Sequence, residues 1–172
     1  MGISQIGPVM QIAFVPKNFD AALRYWTEVM GVGPFFLLEN ILLEDSSYLG
    51  APNECVFSIA LAYWGDVQVE LIRQENAAPS IYRGAEGPGL HHTCILTDDI
   101  AAARATAEAA GATVLVDGKV GPDGAVIYVD TGNGPGSIVE ILQPATGTDG
   151  LFAMIRDAGR DWDGNEPLRR LG

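Results

Sequence analysis

The chain has 172 residues, 48% hydrophobic and 19% charged, a size that suits one packed domain or two small ones and a balance that argues against a disordered chain. Acidic residues outnumber basic ones 22 to 10, and the formal charge of -12 disfavours phosphate backbones and anionic lipid, so neither a nucleic-acid nor a membrane partner is expected. The two cysteines, Cys55 and Cys94, stand far apart with no C-x-x-C pair, which excludes a thiolate zinc site and a disulfide framework and fits a reducing compartment.

The opening Met1-Gly2-Ile3-Ser4-Gln5-Ile6 carries no basic targeting segment. The most apolar run, 56–64, is far shorter than the roughly 20 residues that span a bilayer, so a cytoplasmic protein is expected. The first predicted strand is Gln11-Ile12-Ala13-Phe14-Val15. A helix follows over 19–30, with Phe19, Ala22, Leu23 and Trp26 at helical spacing and Gly31 placed to end it. Strands are expected near 35–38, over 56–64 and, by strict alternation, over 67–72. Between the first two of these, 37–54 reads as an inserted loop, and 76–89, rich in Ala, Pro, Gly and Ser, reads as a linker.

The same order then returns. His92-Thr93-Cys94-Ile95-Leu96 is a strand, 100–110 a helix closed by Gly111, and strands follow near 113–116, 125–129 and 137–142. Gln11 precedes its helix by the same interval as His92 precedes the second one, and each half ends on a strand with a central glutamate, Glu70 or Glu140. Each half therefore reads as βαβββ. The fold class is α+β, with module one over about 9–75, the linker over 76–89 and module two over about 90–144. Together they make one domain over 1–147, followed by a tail over 148–172. That tail is read as a loop, a helix over about 151–158, and a further loop over 161–165, with Arg156, Arg160, Arg169 and Arg170 on a solvated face.

Strand parity then decides which side chains can meet. Ile12 and Phe14 face the helix of module one, which turns Gln11, Ala13 and Val15 to the other side. By the same parity His92 and Cys94 share a face, as do Gln68 and Glu70, and Glu140 stands between Ile138 and Leu142 on its own face. Two modules related by a pseudo-twofold axis would gather Gln11, Glu70, His92 and Glu140. One imidazole, two carboxylates and an amide oxygen suit a divalent cation such as Zn, Ni, Co, Mn or Fe. Each glutamate also has the plain reading of a solvent-facing strand residue, and His92 that of a hydrogen-bonded edge residue. His91, one position off, is expected to point away as a structural residue, Cys94 to fill space, and the glycine-rich 130–136 to be a turn.

Over 9–144 the sequence resembles the vicinal oxygen chelate superfamily of glyoxalase I, methylmalonyl-CoA epimerase, extradiol dioxygenases and bleomycin-resistance proteins. The resemblance rests on Gln11-Ile12-Ala13-Phe14-Val15, on Phe19-Asp20-Ala21-Ala22-Leu23-Arg24-Tyr25-Trp26, and on Val69-Glu70-Leu71-Ile72. Gly89-Leu90-His91-His92-Thr93 and Gly136-Ser137-Ile138-Val139-Glu140-Ile141-Leu142-Gln143-Pro144 complete it. It implies two βαβββ modules in a cupped, mostly antiparallel sheet around a divalent metal. Gln11, Glu70, His92 and Glu140 occupy the ligand positions, in an order that looks like the animal-type glyoxalase I set. Homodimers, common in the superfamily, are implied as well. The glutathione-holding arginines of glyoxalase I would fall at Val15 and Pro88, so a glutathione hemithioacetal is not the expected substrate, and Gln11 argues against extradiol chemistry.

The resemblance implies a metal-dependent isomerase, epimerase or lyase that abstracts the proton α to the carbonyl of a small-molecule substrate. Glu140 and then Glu70 are the candidate catalytic bases. The alternative is a metal-free protein that sequesters a drug in an aromatic groove, for which Trp26, Trp64 and Tyr128 are the available rings.

Overall fold

The computed structural model describes residues 2–171; the terminal Met1 and Gly172, which bound the expected domain and tail, lie outside the described residues. Module one runs β1 (Val9–Phe14), α1 (Phe19–Arg24), β2 (Phe35–Leu42), β3 (Glu44–Tyr48), β4 (Ala51–Pro52), β5 (Val56–Trp64) and β6 (Val67–Gln74). Module two runs β7 (His92–Leu96), α2 (Ile100–Ala109), β8 (Thr113–Val120), β9 (Gly124–Asp130) and β10 (Ile138–Gln143), and α3 (Thr148–Gly159) and β11 (Leu168–Arg170) follow. The fold is α+β, built from βαβββ modules on one mixed, mostly antiparallel sheet.

Both helices start by the same device. Asn18 Oδ1 accepts from Ala21 N and Asp99 Oδ1 from Ala102 N, each at 2.9 Å, satisfying an amide that the first turn leaves unpaired. Module one continues α1 as a wider helical turn over Tyr25–Val29, and the chain leaves it through Gly31 at φ +66°, where a β-carbon would be strained. Helix α2 ends likewise before Gly111 at φ +90°.

Among the described residues the sheet has 11 strands in the order β11-β2-β5-β6-β1-β7-β10-β9-β8-β3-β4. At its centre β1 lies antiparallel to β7, with Gln11 opposite Cys94 and Ala13 opposite His92. Strands β6 and β10 then flank this pair in parallel, with Ala13 beside Glu70 and Cys94 beside Glu140. These registers are symmetric about the β1–β7 junction, so Gln11 maps onto His92 and Glu70 onto Glu140. Parity holds throughout. Val69 and Leu71 pack with Phe19 and Trp26 beneath module one, and Ile95, Ile127 and Ile141 pack with Ala103 and Ala107 beneath module two. The opposite, concave face carries Ala13, Val15, Phe57, Ile72, Val126 and Tyr128.

Two expectations are corrected. Residues 37–54 form strands rather than a loop. Strand β3 has too little alternation and too many polar residues to read as a strand, yet it pairs with the free edge of β8 in the other module, Tyr48 opposite Val116. Lys119 and Asp45 form an exposed ion pair across that junction. Because β2 and β3 lie near opposite ends of the sheet order but are joined by Leu43 alone, the two edges must come together there and the cup is nearly closed. The tail is a loop over 161–165 as expected, and beyond it β11 runs parallel to β2. The tail arginines are not all solvated: the Arg156 guanidinium lies 4.4 Å from the Tyr63 ring centroid and that of Arg169 5.7 Å from Phe36. Long apolar stems and planar cations are well suited to such faces. Among the described residues no helix is long and apolar enough to cross a membrane.

Candidate metal centre

The concave face delivers the four expected residues together, all of them buried: Gln11 and Glu70 from module one, His92 and Glu140 from module two. Glu140 Oε2 lies 3.2 Å from His92 Nε2 and Glu70 Oε2 lies 3.5 Å from the same nitrogen. The three ligand-capable atoms of Glu70, His92 and Glu140 lie within 4.8 Å of one another. Two carboxylates thus converge on one imidazole nitrogen, and Glu70 Oε2 has no hydrogen-bond partner of its own. Buried carboxylate oxygens are costly to leave unpaired, so a group that accepts lone pairs from several sides fits this spot.

Burial opposes the charged imidazolium, but the hydrogen bonds and charges of Glu140 and Glu70 outweigh it and hold His92 up at about 9. Burial, with the Glu140 charge adding to it, raises Glu70 above its ordinary value despite the proximity of His92. The Cys94 thiol is pushed well up by burial and by both glutamates, so it stays protonated and fills space, as expected.

His91 does not point away. It precedes the first residue of β7, so strand parity does not govern it, and its Nδ1 lies 2.8 Å from Nδ1 of His92. Its Nε2 lies 2.9 Å from the carbonyl oxygen of Ile81. A carbonyl can only accept, so His91 carries its proton on Nε2 and offers the Nδ1 lone pair. His92 must then donate from Nδ1, which leaves Nε2 as the nitrogen whose lone pair, in the neutral ring, faces the two glutamates. Burial, with the adjacent His92 charge, holds His91 down at about 4, so it remains the neutral acceptor this chain of bonds needs. The linker therefore has a part in the site, since Ile81 and Tyr82 are buried against it.

Gln68, which shares the face of Glu70 by parity, was not singled out by the sequence. It is fully buried; its Oε1 accepts from Gln11 Nε2 at 2.7 Å, while its own Nε2 has no partner. With its Nε2 turned to Gln68, Gln11 has its amide oxygen left unengaged by Gln68.

Gln11, Gln68, Glu70 and Glu140 form the floor of a cavity of about 260 Å³ whose walls are largely aliphatic and which α3 borders through Leu151 and Phe152. Of the three rings expected to line a drug groove only Tyr128 does so. Trp26 is buried with Phe14 in the core beneath the sheet, and Trp64 packs on Trp26 with half its surface exposed. The glycine-rich stretch is a turn, joining β9 to β10 with Gly132, Gly134 and Gly136 at positive φ.

A family model described as the glyoxalase/bleomycin resistance protein/dioxygenase superfamily matches residues 10–129, well over half of the chain. The chain belongs to this superfamily. Among solved structures of similar fold, a hypothetical protein from Bacillus halodurans is 13% identical. The match covers 81% of this chain and 95% of that one at a TM-score of 0.54. Methylmalonyl-CoA epimerase from Mycobacterium tuberculosis is 12% identical, with 84% and 91% covered at a TM-score of 0.50. At these identities the likeness is one of fold. No curated protein matches the sequence. The buried Glu70, His92 and Glu140 cluster could hold a metal ion, as vicinal oxygen chelate folds do.

Proposed function

We infer that this protein is a metal-dependent isomerase, epimerase or lyase that removes and returns the proton α to the carbonyl of a small molecule. The observation that carries the reading is the convergence of two buried carboxylates on one imidazole nitrogen at the floor of an apolar cavity. Gln11, Glu70, His92 and Glu140 would hold a divalent cation, which supplies Lewis acidity toward a carbonyl oxygen and the negative charge that develops on it. The imidazole and carboxylate donors suit Zn, Ni, Co, Mn or Fe.

The chain's own residues do the rest. His91 keeps the His92 proton on Nδ1, so Nε2 is free to bind. Glu140 takes the α-proton and returns it, and Glu70, converging on the same imidazole nitrogen, is the second carrier. Leu151 and Phe152 of α3 exclude water, which protects a carbanionic species from stray protons. The test is metal analysis of protein purified without chelator, followed by α-proton exchange into deuterated water with small ketones, read by proton NMR. One divalent ion per chain, with exchange lost in Glu140→Gln, is the expected result. Protein without a stoichiometric divalent ion overturns the reading.

A further inference from the structure

The walls of the cavity limit what can enter it. Leu38, Ile41, Leu43, Ile59 and Leu61 line one side, and no lysine or arginine reaches it among the described residues. Its only formal charges are the two carboxylates on the floor. Against a dication and a neutral His92, these leave the floor with no net charge. A substrate carboxylate or phosphate would then sit in an apolar enclosure with nothing to balance it, in a protein that already carries a charge of -12. Anionic substrates are disfavoured on both counts.

At the edge of the floor the Gln68 Nε2 and the Tyr63 hydroxyl face each other across the β5–β6 pair, and neither has a well-formed hydrogen bond to a third group. Gln68 is fully buried, its Oε1 is taken by Gln11, and its Nε2 lacks a partner although Gln68 lines the cavity. Gln68 lines the cavity and Tyr63 does not, so an acceptor oxygen entering from the cavity side competes with the Tyr63 hydroxyl for the Gln68 N–H and leaves that hydroxyl its own bond to make. Size sets the remaining limit. A dry apolar cavity of roughly 150 Å³ holds a six-carbon ring, so 260 Å³ suits a compound of about ten heavy atoms.

We propose that the substrate is an uncharged, compact carbonyl compound, a ketone or ester carrying one alkyl or aryl group, and that Gln68 is the specificity-determining residue that receives its oxygen. This rests on the proton-transfer reading for the chemistry but not for the recognition. The aliphatic walls take the alkyl or aryl end. The carbonyl end lies on the floor, where Gln68 Nε2 donates to an oxygen and the α-carbon is within the reach of Glu140 and Glu70.

The test uses the full chain loaded with Zn²⁺ and three probes of similar size: 4-phenylbutan-2-one, butylbenzene and 4-phenylbutanoate, titrated by calorimetry. The ketone should bind about tenfold more tightly than either of the others. Gln68→Leu should remove that advantage over butylbenzene while leaving butylbenzene affinity within about twofold. Zinc content is measured alongside, because this variant also frees the Gln11 amide. Leu38→Trp, at a half-buried wall position, should fill the cavity and abolish binding of ketone and hydrocarbon alike. Equal binding of ketone and carboxylate, or ketone binding unaffected by Leu38→Trp, overturns the proposal. Gln68-dependent ketone binding with no α-proton exchange supports this pocket assignment and overturns the proton-transfer reading.

Discussion

Replacing His91 tests the most specific feature of the site, the line of bonds from the Ile81 carbonyl through His91 to His92. In His91→Phe the ring and its packing on Tyr82, at 5.6 Å between centroids, are kept while both bonds are lost. His92, protonated on both nitrogens below about pH 9, can then avoid an unpaired Nδ1–H by shedding that proton and keeping the one that Nε2 donates to Glu140, 3.2 Å away, a shift to the Nε2 tautomer. Metal binding through Nε2 must reverse that shift and leave a buried N–H without an acceptor. An unsatisfied buried donor costs about 1–3 kcal/mol, so affinity should fall by about fivefold to 150-fold. This matches the roughly 10–100-fold usual for groups behind a metal-binding histidine. His91→Gln offers an amide oxygen to His92 and an amide N–H to Ile81, and it should recover most of the loss. The assay is competition for Zn²⁺ against a fluorescent chelator, with circular dichroism confirming the fold of each variant. Unchanged affinity in His91→Phe, or a glutamine variant as weak as the phenylalanine one, would refute the bond logic.

The remaining predictions follow from the same geometry. His92→Ala should lower metal affinity at least about tenfold more than Gln11→Ala, because water replaces an amide oxygen more readily than the one imidazole; metal titration of the two variants decides this, and Glu140→Gln should keep some metal while losing turnover. His92 is held at about 9 without metal, above its ordinary 6.5. Below pH 9 metal must therefore displace its proton, so apparent affinity should rise about tenfold per pH unit from pH 7 to 9. Calorimetry in buffers of different ionisation enthalpy should count about one proton released; no release would contradict it. The same raised value means that this group's contribution to the stability of metal-free protein is complete below pH 6.5 and lost as pH rises through about 9. Melting of chelator-treated protein across that range measures the loss. A β-carbon on Gly124 would lie 2.6 Å from the Val120 carbonyl oxygen and 2.7 Å from Ala145 N, both backbone. Gly124→Ala should therefore destabilise the β8–β9 turn by about 1–3 kcal/mol, read from chemical denaturation.

The sequence by itself carried the repeat, the helix and strand periods, and the face on which Gln11, Glu70, His92 and Glu140 lie, because a strand's two-residue period is local and survives any tertiary arrangement. Its limits are equally physical. Strand β3 is a strand only because β8 offers it an edge, and β11 only because β2 does; backbone pairing of that kind leaves little trace in Glu44-Asp45-Ser46-Ser47 or Leu168-Arg169-Arg170. His91 lay one residue outside the rule of alternation, so its bond to His92 depended on where the linker carried the Ile81 carbonyl. Gln68 was on the expected face, but an amide with one end satisfied and the other empty is a property of its three-dimensional neighbours. Periodicity determined which side chains could share a surface. Long-range packing alone decided the closed cup, the place of α3 beside the cavity and the tautomer of His92, since each depends on groups that meet only after the chain has folded.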